Sequence, residues 1–136
     1  MSFHTPIQAI PPSLAIARYL HDFPQATRID LIGPLYQGAA TFIGPVLFVD
    51  GGAAFKTDNI GFSVGDGDSY SGKLDEQLDH RKDYSDLAYA LFSVPAHFTH
   101  VHLRGFLGGR RDHEWLNLGE AAHFLKTRHQ PTHVQF

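Results

Sequence analysis

Two aspartates, Asp66 and Asp68, lie between glycines and serines in SVGDGDSYSG, residues 63–72, just after the apolar run IGF. Glycine-rich loops after strands often cradle phosphate, but carboxylates repel it. A dinucleotide fingerprint needs glycine at position 70, where Tyr70 stands, and no Gly-Lys-Ser/Thr follows to make a P-loop. A calcium loop starting at Asp66 would need Gly at the sixth position and Glu at the twelfth, and these are Ser71 and Gln77. What survives is a pair of carboxylates on a tight turn. They can hold a hard cation such as magnesium, which in turn holds phosphates, or they can form an Asx-turn facing solvent. The loop alone supports both readings equally.

Three further stretches carry chemistry. Asp50-Gly51-Gly52 follows VLFV, and taken alone it reads first as a strand-ending turn. It also reads as a carboxylate at the C-terminal end of a parallel strand, where open α/β sheets bind ligands. In KDYSDL, residues 82–87, Asp83 is the expected N-cap of a helix with Asp86 at its third position. The same stretch offers another carboxylate with Lys82 beside it. In GGRRDH, residues 108–113, two arginines stand at a helix start, where the dipole disfavours cations unless an anion binds. Asp112 would cap that helix. His97, His100 and His102 invite a metal reading, but no glutamate follows at the needed distance, and chance clustering among ten histidines explains them better.

These residues need elements to position them. SLAIARYLHDF reads as a short helix capped by Ser13, and RIDLIGP as a buried strand. VLFV and NIGFSV are apolar runs that each end in Gly and Asp. KLDEQLDHRK reads as a polar connector. DYSDLAYALFSV is helical by period, with Leu87, Ala90, Leu91 and Val94 on one face, and HFTHVHLRGFLGG alternates like a strand. RRDHEWLNLGEAAHFLKTRH is a long helix with an apolar stripe of Trp115, Leu118, Ala122 and Leu125, and THVQF begins a further strand. Strands alternating with helices imply an α/β fold, three layers around a mostly parallel sheet. Aspartates 50, 66, 68 and 86 would then gather at one sheet edge with the cations Lys82 and Arg110, a balance suited to magnesium and a polyphosphate.

Bulk properties narrow the classes. With 136 residues the chain is one domain, and 43% apolar against 18% charged residues fits a globular protein. A net charge of −3 argues against nucleic acid as a partner. The absence of cysteine removes disulfides, zinc fingers and thiol catalysis. No apolar stretch approaches the roughly 20 residues of a membrane span, and MSFHTPIQAIPP has no basic segment leading into a long apolar run. A cytoplasmic protein without a membrane partner is expected.

DGG, GDGDS, KDYSDLAYAL and GGRRDHEWLN, in that order, resemble the thiamine pyrophosphokinase pattern DGG, GDxDS, KDxTDL and GGRxDHxxxN. The resemblance covers about residues 29 to 136. It implies a catalytic domain over 28–136 that binds Mg-ATP, preceded by an N-terminal extension, 1–27, with a short helix. Pyrophosphate would pass from ATP to the hydroxyl of thiamine, releasing AMP. By the resemblance, Asp50, Asp66, Asp68 and Asp86 would form the catalytic and magnesium site. Gly51, Gly52, Ser69, Lys82, Asp83, Arg110, Asp112 and Asn117 would bind the nucleotide. Gly67 stands where the family often has an aromatic residue, and Ser85 replaces a threonine. The family's second, β-sandwich domain, which helps bind thiamine across a homodimer, is expected to be absent. Two other readings stand beside this one: a related diphosphotransferase acting on another alcohol such as a pterin, and a nucleotide-binding module without turnover.

Overall fold

A computed structural model describes residues 13–39, 42, 44–56, 60–68, 70–79 and 81–136. The elements are α1 (Leu14–His21), β1 (Arg28–Ile32), β2 (Val46–Val49), a 3-10 helix (Asp50–Phe55), β3 (Phe62–Gly65), β4 (Glu76–Gln77), α2 (Asp86–Phe92), β5 (His100–Arg104), α3 (Arg111–Thr127) and β6 (His133–Gln135). The strands form one sheet in the order β4-β3-β2-β1-β5-β6, and every neighbouring pair is parallel. The fold is therefore α/β, as the alternation of patterns implies.

Burial explains the strands. All four residues of β2 are buried, because a central parallel strand is covered on both faces. Its side chains alternate: Leu47 and Val49 join the large core, while Val46 and Phe48 join a smaller one. The large core fills the helical side with Ile29 and Leu31 of β1, Val101 and Leu103 of β5, Leu87 and Leu91 of α2, and Phe124 of α3. Ile16 and Leu20 of α1 are fully buried in this same core, so the helix within 1–27 packs as part of the domain. On the opposite face Ala53 and Phe55 of the 3-10 helix, with Tyr36 and Phe42, form a thinner covering layer over β1 and β2. Beyond it that face turns polar. Asp30 pairs with Arg28 at 2.8 Å, and His100 stacks on His133 with ring centres 5.2 Å apart.

Caps and faces depart from the sequence reading in four places, the first being α3, whose N-cap is Arg110 without a side-chain cap bond, so that Asp112 lies inside the first turn and does not cap it. The N-cap of α2 is Ser85, whose hydroxyl accepts from the Ala88 N–H at 3.0 Å, so Asp86 opens the helix and Asp83 lies outside it, exposed. Serine and aspartate cap about equally well, so residue type alone does not choose between Asp83 and Ser85. Within the polar connector, Glu76–Gln77 forms the edge strand β4, pairing with Val64 and Gly65. On α3 the buried residues are Ala121 and Phe124, while the stripe of Trp115, Leu118, Ala122 and Leu125 faces solvent. Ser13 caps α1 as expected, its hydroxyl accepting from the Ile16 N–H. Among the described residues no helix is long and apolar enough to cross a membrane.

The chain lays down β1 to β4 in one direction and then returns past β1 to place β5 and β6 on its other side. The order of building therefore reverses between β1 and β5. Crevices at the C-terminal strand ends beside such a reversal are where α/β sheets bind ligands.

Candidate metal and phosphate site

β2 and β3 deliver Asp50 and Asp66 at their C-terminal ends, and the first residue of α2 delivers Asp86. One carboxylate oxygen from each lies within 4.8 Å of the others, a spacing that can surround one cation. Short contacts bring them together. Asp50 has a left-handed backbone, φ 44°, and its Oδ1 accepts from the Gly67 N–H at 3.2 Å. The Asp66 N–H donates to Asp86 Oδ2 at 3.3 Å, and Asp66 Oδ1 accepts from the Asp68 N–H at 3.0 Å. Asp66 thus closes an Asx-turn and still belongs to the cluster, so the two readings of the loop are compatible. Gly67 supplies φ 88° for this turn, and a Cβ on Gly65 would sit 2.8 Å from Asp50 Cα.

Lys82 lies among these acids. Its Nζ is 2.8 Å from Asp86 Oδ1 and 3.2 Å from Asp66 Oδ2, and its side chain is only 8% exposed. The contact with Asp86 is a close ion pair, in which the ammonium partners that buried carboxylate oxygen. Burial opposes the lysine's charge, but Asp86 and then Asp66 outweigh it and push its pKa up. For Asp86 burial raises the pKa, and the Asp66 charge adds to it against the opposing pull of Lys82. Three carboxylates against one ammonium leave excess negative charge in a partly desolvated place, and a divalent cation would balance it.

The remaining candidates spread outward from this cluster. Asp68 is exposed and lines the same cavity, of about 420 Å³, without joining the close group of three. Gly51 and Gly52 are buried in the 3-10 helix; a Cβ on Gly52 would meet the Ile32 carbonyl oxygen at 2.0 Å. Ser69 lies outside the described residues. Arg110 lines an adjoining cavity of about 230 Å³ beside Gly109. It pairs with Asp112 at 2.7 Å, both well exposed. Asn117 donates to the Phe106 carbonyl at 2.9 Å and borders both cavities. Asp83 sits on the wall of a third cavity, about 580 Å³, between α2 and α3. No histidine joins a metal-ligand group among the described residues.

Two residues at these cavities were not singled out by sequence. His113 borders the first two, and Glu120 lines the third, where its carboxylate accepts from the Ser85 hydroxyl at 3.3 Å. Burial raises the Glu120 pKa, with Ser85 opposing. The available signal was spacing: His113, Asn117 and Glu120 lie four and then three residues apart, one face of α3. Comparisons with protein families, with curated proteins and with solved structures found no match to this chain.

Proposed function

We propose that this protein transfers pyrophosphate from ATP to the hydroxyl of thiamine with magnesium, forming thiamine diphosphate and AMP. The observation that carries the reading is the meeting of Asp50, Asp66 and Asp86. They come from three stretches separated in sequence, and all three stretches belong to the motif series that resembles thiamine pyrophosphokinases. The all-oxygen donor set fits a hard cation. Magnesium, held by Asp50, Asp66 and Asp86, would neutralise polyphosphate oxygens.

The chain's own residues do the rest. Lys82 keeps the carboxylates close while the cluster is crowded, and it has a second use as a phosphate partner once a cation shares the acids. Gly109 and Arg110 border the neighbouring cavity, where an anionic group would find the arginine's charge. The cavity between α2 and α3 shares Lys82, Tyr84 and Ser85 with the acidic one, so an acceptor there would lie next to the transferred group. Attack at phosphorus depends on this positioning and charge neutralisation more than on covalent help from the protein.

Incubation with ATP, magnesium and thiamine, followed by measurement of AMP and thiamine diphosphate, tests the proposal. Both products are expected in equal amounts. AMP formed only with another alcohol, such as a pterin, would replace the acceptor and keep the site. Nucleotide binding with no AMP from any acceptor would leave a binding module, and unchanged metal-dependent nucleotide binding in Asp66→Asn would refute the site itself.

A further inference from the structure

Glu120 takes no part in the cation cluster, yet it is a half-buried carboxyl on the wall of the cavity between α2 and α3. Burial raises its pKa, against the opposing effects of Ser85 and His123. The packing of α3 does not call for an acid here, because Ala121 and Phe124 anchor the helix to the core. A tie to Ser85 does not call for one either. Glutamine would accept the same hydrogen bond without a charge to desolvate. A carboxyl moved toward neutrality beside a cavity is suited to proton transfer.

Ser85 connects Glu120 to the acidic site. It lines both the cavity of about 580 Å³ and the acidic one of about 420 Å³, and it directly precedes Asp86. Its hydroxyl donates to Glu120 Oε1 at 3.3 Å and accepts from the Ala88 N–H at 3.0 Å. A hydroxyl has one proton to give and two lone pairs to receive, so Ser85 can still accept from an incoming O–H. The other titratable groups of the cavity are less well placed. Asp83 is exposed, Lys82 is paired with Asp66 and Asp86, and Tyr84 stacks on Tyr89. His123 lies one turn further along α3 and packs edge-on to Phe92, ring centres 6.0 Å apart.

We propose that Glu120 is the general base for the acceptor, taking the proton of its hydroxyl through the hydroxyl of Ser85. The inference rests on the diphosphotransferase reading above. As the acceptor oxygen bonds to the β-phosphorus of ATP, its proton moves to Ser85 Oγ and the Ser85 proton moves to Glu120 Oε1. The bond from the β-phosphorus to the oxygen it shares with the α-phosphorus breaks, and its electron pair leaves on AMP. Ser85 ends as it began, and Glu120 then returns its proton to solvent.

Glu120→Gln keeps the bond to Ser85 and loses the base. Single-turnover formation of AMP from ATP, magnesium and thiamine should fall roughly a hundredfold or more, with ATP affinity and the circular dichroism spectrum unchanged. The wild-type rate should rise with pH through a value above the ordinary glutamate range, and the variant should lack this rise. Formate, a carboxylate small enough for the vacated space, should restore part of the rate to Glu120→Ala. Ser85→Ala should be about as slow as Glu120→Gln, and the double variant no slower, because link and base form one path. Additive losses would remove Ser85 from the path and overturn the relay. With wild-type turnover intact, an undiminished rate or the same pH rise in Glu120→Gln would overturn the inference and leave the diphosphotransferase reading standing. No AMP from the wild type with any alcohol would overturn that reading, and the base with it.

Discussion

Asp50 combines two unfavourable conditions, a left-handed backbone on a residue with a Cβ and a carboxylate crowded by Asp66 and Asp86. Such strain persists where surrounding structure imposes it and commonly serves a site. Asn tolerates the same backbone, and its side-chain oxygen can keep the bond from Gly67. Asp50→Asn should therefore raise the stability of the metal-free protein by about 0.5–1.5 kcal/mol, while the rise in melting temperature on adding magnesium disappears. Thermal unfolding with and without magnesium measures both, and a full magnesium response in the variant would remove Asp50 from the cation site. Glu120 gives a pH-dependent counterpart. Burial makes its folded carboxyl hold a proton to higher pH than the unfolded chain does. The native state then loses stability as pH rises from the ordinary glutamate value through the raised one. Gln carries no charge to desolvate, so Glu120→Gln should stabilise the protein near pH 7 and make little difference below about pH 4. Urea unfolding at the two pH values checks the sign.

The elements differ in how far their roles can be read in advance. β1, β2, β3 and β5 show as apolar runs or alternations because a parallel strand in a sheet core needs them, and Asp50 and Asp66 stand out because each ends such a run. β4 has no such signature: two polar residues at a sheet edge bury too little to demand a pattern. The stripe on α3 was legible as amphipathic order, but its direction was not, since periodicity says that a face exists and not what covers it. Lys82 is similar. Its charge is plain in the sequence, yet its position against Asp66 and Asp86 depends on where α2 docks. The 3-10 helix is itself tightly docked, against β1. With the Ile32 carbonyl oxygen 2.0 Å from an added Cβ, Gly52→Ala must push this helix off β1. It should destabilise the protein by roughly 3 kcal/mol or more, seen as a lower urea midpoint, and disturb Asp50 two residues before it.

At the scale of the whole molecule, the sheet is what brings chemistry from distant stretches to one edge, and the α/β class follows from the alternation of strand and helix patterns along the chain. The order of strands does not follow from local pattern, because apolar runs of similar composition carry no label for their neighbours. It rests on which pairings bury the most surface once the helices are placed. The central position of β1 has a consequence for how the chain comes to be folded. Its register partners on one side begin with His100, more than seventy positions after Arg28. A growing chain therefore presents β1 with one flank open until β5 has been made, and no local hairpin protects it meanwhile. Closing so distant a pair early has a high entropic cost, which makes folding slow and leaves this strand exposed to wrong partners. During synthesis the middle of the sheet is thus the last part to be safe.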